Sequence, residues 1–496
     1  MTEALFLGID IGTQGTKAVA CDTNGSVIKE AFCDSVLIRP DSNTVYEKSE
    51  DILNASFSVI KSITSELGER SKNIRAIGID AQMAGVMGVD KDYKAVIPLD
   101  SWLDTRCSKY TEVIKKEAGQ TALEKSGGQF IHAHASKILW WKNECPEKYN
   151  EIHKFIQPNA YVSGILCDIP ADEAFMDYTF LHFNLFSDNQ NCKFNDQLLD
   201  YFGVDPEKMP KIVSPQQVVG TVSQKYTDML GLPENVKMIA GCGDTAASSL
   251  GAGITHTGLA YDVAGTASVF ACCTDKFVPD VVHNTLLFSR SVFEDLYLPL
   301  SYISGGGLCL TWLSEITGKS LKMLDSLVAE KIKDEVPMFI PHFSGRTFPL
   351  DDKVTGAFIG LKHQTSVADL HQAVMEAISY EYKIYCDILC STGCMEPTTT
   401  IIGVGGGAKS KVFSQIKSDV LGLDYAVPKK VDSAPVAVAL LAAHATGYIT
   451  EELRDIFKPD LHSSTVFNPN TNRNKLYRDK VDNYQRLLVN YSSLTN

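Results

Sequence analysis

Three aspartates in this chain stand beside turns built of glycine and small residues. Asp10 precedes Gly12-Thr13-Gln14-Gly15-Thr16, Asp262 precedes Ala264-Gly265-Thr266, and Asp244 follows Gly241-Cys242-Gly243. A glycine turn after a strand leaves backbone N–H groups open, so a polyphosphate can approach closely. Thr13 and Thr16 add hydroxyl donors. A carboxylate at a strand end, as at Asp10, suits Mg²⁺ held through water, because magnesium keeps much of its hydration shell. Asp244 is different: it opens a helix of small residues, Thr245 to Leu250, and the glycines before it leave room for a substrate. That placement suits a general base taking a hydroxyl proton. It equally suits a carboxylate that caps the helix.

A further glycine segment, Gly403-Val404-Gly405-Gly406-Gly407-Ala408, has the form G-x-G-x-x-A, with Asp424 downstream. Two readings fit it. One is a dinucleotide turn and an NAD-dependent oxidoreductase; the other is a turn holding the ribose and adenine of ATP. Gly318-Lys319-Ser320 lacks the upstream glycine of a Walker A loop, which argues against a P-loop enzyme.

The elements that position these turns alternate short β-branched runs with amphipathic helical patterns, the mark of α/β layering. Strands are expected over 5–11, 17–21 and 27–31, a helix over 51–67 and a strand over 74–79. The second half opens alike, with strands over 258–263 and 268–273 joined by the Gly265-Thr266 turn. Later come a helix over 369–382, a strand over 398–404 and a helix over 410–421. Such a repeat implies two domains of common architecture, 1–250 and 251–496, each offering one turn to a shared ligand. The length of 496 residues fits two cores better than one.

A formal net charge of -14 disfavours nucleic acid and anionic lipid as partners. The N-terminus lacks a basic leader, and no apolar run approaches the roughly 20 residues of a membrane span. The 13 cysteines follow no framework and read as thiols in a reducing cytosol. A soluble cytoplasmic protein is expected.

Taken together and in order, these segments resemble the FGGY carbohydrate kinases, within the actin-like ATPase superfamily. The most specific part is Gly356-Ala357-Phe358-Ile359-Gly360-Leu361, then seven residues, then Asp369 to Glu376, which fits the family's C-terminal signature at every constrained position. Lys137, Ile138 and Trp140 keep the K-x-x-W core of the other signature, while His134 stands where Ser, Thr or Pro is usual. Gln82-Met83-Ala84-Gly85 is similar to a xylulokinase segment in which a histidine occupies the position of Ala84. Trp102, Asp104 and Arg106 resemble a second segment of that branch. Arg346 lies in a turn similar to the family's S-G-E-R-T-P and is left without a role.

The resemblance implies a fold of two ribonuclease-H-like domains with a cleft between them. It implies ATP-dependent phosphorylation of a hydroxyl of a small sugar, a ketopentose first, with a tetritol, tetrulose or other ketose as the alternative. Asp244 would be the base, and Gln82, Met83, Trp102, Asp104, Asp244 and Thr245 would meet the sugar. Gly12, Thr13, Gln14, Gly265, Thr266, Gly306, Gly405, Gly406 and Ala408 would meet ATP, with Mg²⁺ at Asp10. His132, His134, Tyr178 and His182 stay open between substrate contact and scaffold. A homodimer is allowed. Rival readings are the dehydrogenase and a sugar sensor without turnover.

Overall fold

The β-branched runs Leu5–Ile11 and Ile74–Ala81 are apolar along almost their whole length, as strands covered on both faces must be. The computed structural model describes residues 4–265, 267–351 and 353–494. It divides into two units, one of residues 1–253, 288–296 and 432–457, the other of 254–287, 297–431 and 458–496.

In the first unit, Leu5–Ile11 forms an antiparallel hairpin with Gly15–Cys21, which pairs on with Val27–Asp34. On its other side Leu5–Ile11 runs parallel to Ile74–Ala81, beyond which lie Lys237–Ile239 and Val218–Thr221. The short strand Cys242–Gly243 also pairs with Ile74–Ala81 and feeds directly into the helix Asp244–Gly251. One face of the sheet is covered by Ser49–Leu67, whose Ile52, Val59, Ile60 and Ile63 are buried at helical spacing. The other is covered by Ala434–Ala445, which arrives from far along the chain. This contact explains two glycines: a Cβ at Gly8 would lie 1.6 Å from the Pro435 carbonyl oxygen, and one at Gly78 would lie 2.4 Å from that of Val438.

The second unit repeats the plan. Leu259–Ala264 and Ser268–Cys272 form an antiparallel hairpin, and Tyr297–Ile303 extends it. Leu259–Ala264 also runs parallel to Thr400–Val404, followed by Tyr425–Val427 and Thr465–Phe467. The expected helix over 369–382 is longer, Val367–Ser391. Ser366 and Asp369 close its start as a capping box, and apolar residues continue along its buried face as far as Leu389. Both sheets therefore join an antiparallel hairpin to parallel strands, the ribonuclease-H-type layering.

Candidate active site

Parallel pairing sets Asp10 directly opposite Asp80, and the same Asp80 stands opposite Cys242, two residues before Asp244. Three carboxylates thus gather at one end of the first unit's sheet. Asp80 was absent from the candidate residues, yet it is fully buried and its carboxyl meets that of Asp10. Burial, then the charges of Asp10 and Asp244, push it well above the ordinary carboxylate range. Burial raises Asp10 to about 6, against the opposing influence of Asp80 and Lys17.

Asp244 is only partly enclosed, as a base that meets a substrate must be. Burial and the neighbouring charge of Asp10 raise it to about 7, opposed by hydrogen bonds from the N–H and hydroxyl of Thr245. Gly243 rather than Asp244 is the capping residue of the helix. The turn is closely packed: Gly241 has φ 74° and a Cβ there would lie 1.8 Å from the Ile79 carbonyl oxygen. A Cβ on Gly243 would strike the Met83 side chain at 2.3 Å, so Met83 lies against the base of the Asp244 turn.

The hairpin turn at Gly12 closes through Gly12 N–H donating to Gly15 O at 3.0 Å. From it, the Thr13 hydroxyl accepts from Trp102 Nε1 at 2.9 Å and donates to Gln82 Oε1 at 3.3 Å. Gln82 Nε2 in turn donates to Glu47 Oε1 at 2.6 Å. The phosphate-type turn and two candidate sugar contacts are thus one hydrogen-bonded chain, with buried Glu47 as an end that sequence reasoning missed. Trp102 keeps 44% of its surface exposed, so its ring remains available to a ligand.

Asp104 is placed differently. It is 1% exposed and its carboxylate accepts from Val45 N–H, Arg106 N–H and Arg106 Nε. Lys137 of the K-x-x-W core donates to the carbonyls of Ser101 and Asp104, and Trp140 lies under the Arg106 guanidinium at 4.3 Å. These signature residues pin the Trp102 loop.

The open histidines are also located. His132 shares a hydrogen bond with Ser108 at 3.0 Å, and its pKa is lowered, first by burial. His134 and His182 are buried and pushed down to about 3, so both rings are neutral. At His134 the Gly85 backbone opposes the effect of burial. Tyr178 donates its hydroxyl to the Val292 carbonyl at 2.8 Å. Ala84 occupies a left-handed conformation, φ 62°, and is 6% exposed.

In the second unit, three glycines from two turns crowd Ala264 and Ser268. A Cβ on Gly405 would lie 2.9 Å from the Ala264 carbonyl oxygen, one on Gly407 2.5 Å from Ala264 Cβ, and one on Gly306 2.2 Å from Ser268 Oγ. Beside them lies a cavity of about 730 Å³ lined by Gly265, Gly406, Leu308, Lys409, Phe413 and the Asp325–His371 pair, among others. Gly265 and Gly406 face it directly. Gly306 and Gly405 pack behind it, and Ala408 is buried. Thr266 lies outside the described residues. Asp262 differs from its counterpart Asp10: it is fully buried, paired with Lys417 and bonded by the hydroxyls of Tyr382 and Tyr425. Asp424 accepts from the side-chain amide of Asn468, away from the ribose role of a dinucleotide fold.

Among the described residues no cluster of three or more His, Cys, Asp or Glu is arranged to hold a metal ion, and no helix is long and apolar enough to cross a membrane.

Residues 5–251 match the N-terminal domain of the FGGY family of carbohydrate kinases, and residues 261–446 match its C-terminal domain. The chain is 26% identical over 461 residues to a gluconokinase of Bacillus subtilis, covering 90% of this chain and 88% of that one. It is 26% identical over 500 residues to a xylulose kinase of Staphylococcus epidermidis, covering 100% and 98%. A Brucella ovis protein described as a xyloylose kinase superposes with a TM-score of 0.90 at 23% identity, over 99% of this chain and 100% of that one. The fold is that of a two-domain α/β phosphotransferase of the actin-like ATPase type. The chain belongs to the FGGY family of carbohydrate kinases. Kinases of this family take their phosphate from ATP.

Proposed function

We propose that the protein transfers a phosphoryl group from ATP to a hydroxyl of a ketopentose of the xylulose or ribulose type, with Asp244 as general base, in the cytoplasm. The observation that carries this reading is the Asp244 carboxyl: partly open, raised to about 7, and set beside Met83 at the end of the sheet. A base with a pKa near the working pH combines a useful carboxylate fraction with enough basicity to draw a proton from an alcohol. The Thr245 N–H and hydroxyl orient it.

Gln82 and Trp102 are assigned to the sugar, held in place by the Thr13 hydroxyl between them. Met83 supplies an apolar wall, and Asp104 acts through the loop it fastens. In the first unit, the Gly12-Thr13-Gln14 turn is assigned to phosphate; the Gly12 N–H closes the turn on Gly15 O, so the Thr13 and Gln14 N–H groups are the ones assigned as donors. In the second, Gly265 and Gly406 have open space where a side chain would stand, which fits a nucleotide lying in the adjoining cavity. Gly306, Gly405 and Ala408 shape that cavity from behind, and Thr266 is assigned with Gly265.

Asp10, with the Asp80 carboxyl against it, fits a divalent cation that keeps most of its waters and needs only one or two carboxylates. When bound, Mg²⁺ would offset phosphate charge during transfer.

A ketose is favoured over an aldonate, the substrate named for the Bacillus subtilis relative, by the cations near these contacts. Arg106 is spent on Asp100 and Asp104, and Lys137 on two carbonyls, so neither is free for a carboxylate. A coupled ADP-release assay over pentuloses, tetruloses, polyols, hexoses and gluconate tests the assignment. The expected result is highest kcat/KM with a pentulose. Turnover of gluconate alone would replace the ketose, and no turnover with any of them would remove the kinase reading.

A further inference from the structure

The Asp244 turn is made of residues that do not hold themselves in place. Gly241-Cys242-Gly243 carries two glycines, which lose the most backbone freedom on ordering, and the strand Cys242–Gly243 has only two residues of pairing. Polar side chains from elsewhere in the first unit grip the turn. Asn159, in the helix Pro158–Leu166, donates its amide to the Ala240 carbonyl at 3.1 Å and to Asp177 Oδ2 at 3.3 Å. Asp177 Oδ1 accepts from the Thr179 N–H at 3.0 Å and from the Thr179 hydroxyl. That hydroxyl, its proton committed to Asp177, accepts from the Gly243 N–H at 2.9 Å.

The turn is therefore held at both ends, at Ala240 and at Gly243, by one chain of three side chains. Asn159, Asp177 and Thr179 are at most 1% exposed, so bulk solvent does not reach them. In such a place an unmade hydrogen bond costs more than a made one contributes. Gly243 is also the capping residue of the helix that Asp244 begins, so its position sets the direction from which the carboxylate leaves the helix.

We propose that Thr179, oriented by Asp177 and Asn159, is a positioning residue for the phosphoryl-transfer reaction: its hydroxyl fixes Gly243 and thereby the aim of the Asp244 carboxylate. The inference rests on Asp244 being the base. Thr179 touches neither ligand. Its effect falls on kcat, because the base is misdirected while the nucleotide cavity of the other unit is untouched.

The experiment compares Thr179→Val, Thr179→Ser and Asp244→Asn in full-length protein, with melting temperature, kcat and both KM values measured on each. Thr179→Val keeps the shape and removes the hydroxyl. Its kcat should fall about ten- to hundredfold, the scale of a displacement of about 1 Å at a reacting group, with the KM for ATP within about twofold. Thr179→Ser should restore kcat to within about threefold of the parent. If Thr179→Val does not fold, Asp177→Asn replaces it: either orientation of the new amide sets a donor against Thr179 N–H or Asn159, and the same loss in kcat is expected. A Thr179→Val enzyme with parental kcat overturns the inference. So does a serine variant as impaired as the valine one, or a loss that only tracks the folded fraction. If Asp244→Asn is inactive in those cases, the positioning role alone fails; if Asp244→Asn is active, the base assignment fails.

Discussion

At the residue scale, the chemistry turns on what surrounds each carboxyl. Asp10 and Asp262 occupy matching places before their turns, yet Asp262 is neutralised by Lys417 and two tyrosines while Asp10 faces Asp80. Of this matched pair, Asp262 is tied into an ion pair, and among the described residues Asp10 is not. With Asp244 raised to about 7, kcat/KM for the sugar should rise with pH through about 7 and level off above it, since the base must be ionised. Replacing Asp244 by Asn should lower kcat roughly 10²- to 10⁴-fold and leave ATP binding largely intact, as nucleotide titration would show. Parental turnover in that variant would falsify the assignment.

At the element scale, the glycines separate into two kinds. A Cβ on Gly265 would meet only the Ala267 carbonyl oxygen at 3.5 Å, ordinary contact, whereas one on Gly407 would lie 2.5 Å from Ala264 Cβ. Gly265→Val should therefore keep the melting temperature near that of the parent and weaken ATP more than sugar, as separate calorimetric titrations would measure. Gly407→Ala should instead destabilise the protein by about 1–3 kcal/mol in chemical denaturation, the usual cost of overpacking. An unchanged ATP affinity in Gly265→Val would remove that turn from the phosphate site.

At the scale of the whole molecule, stability and pH are linked through carboxyls that the fold withdraws, wholly or in part, from water. Asp10 at about 6 and Asp177 and Asp244 at about 7 all lie above the ordinary carboxylate value. Folding then favours their protonated forms: this stability is fully present below about pH 4 and is lost as pH rises through 6 and 7. For protein free of nucleotide and metal, these groups should make the melting temperature decline from pH 5 to 8, and Asp80→Asn should flatten the decline. A second prediction concerns the chain's return. Residues 1–253 expressed alone should show no cooperative unfolding transition, because Ala434–Ala445 covers the sheet at Gly8 and Gly78. Supplying 432–457 by fusion should restore one; a cooperative transition in the short fragment would contradict this.

Much of this was open to reading from residues in order. The strand Leu5–Ile11 is observed as expected, and the hairpins, the Gly-Thr turns and the helix after Asp244 follow from apolar period and turn chemistry, which act over a few neighbouring residues. One signal was present but not used: Gly8-Ile9-Asp10 recurs as Gly78-Ile79-Asp80, and the sheet pairs the two tripeptides residue for residue. Other features carry no local mark. Nothing in the alanine-rich run 434–445 says which sheet it covers. Nor does any spacing announce that Asn159, Asp177 and Thr179 meet at the turn before Asp244. Sequence alone determined which segments could bind phosphate or take a proton, because side-chain type and local backbone fix that. Tertiary structure decided which carboxyls stay free and which are consumed, because burial and partners come from chain segments far apart in sequence.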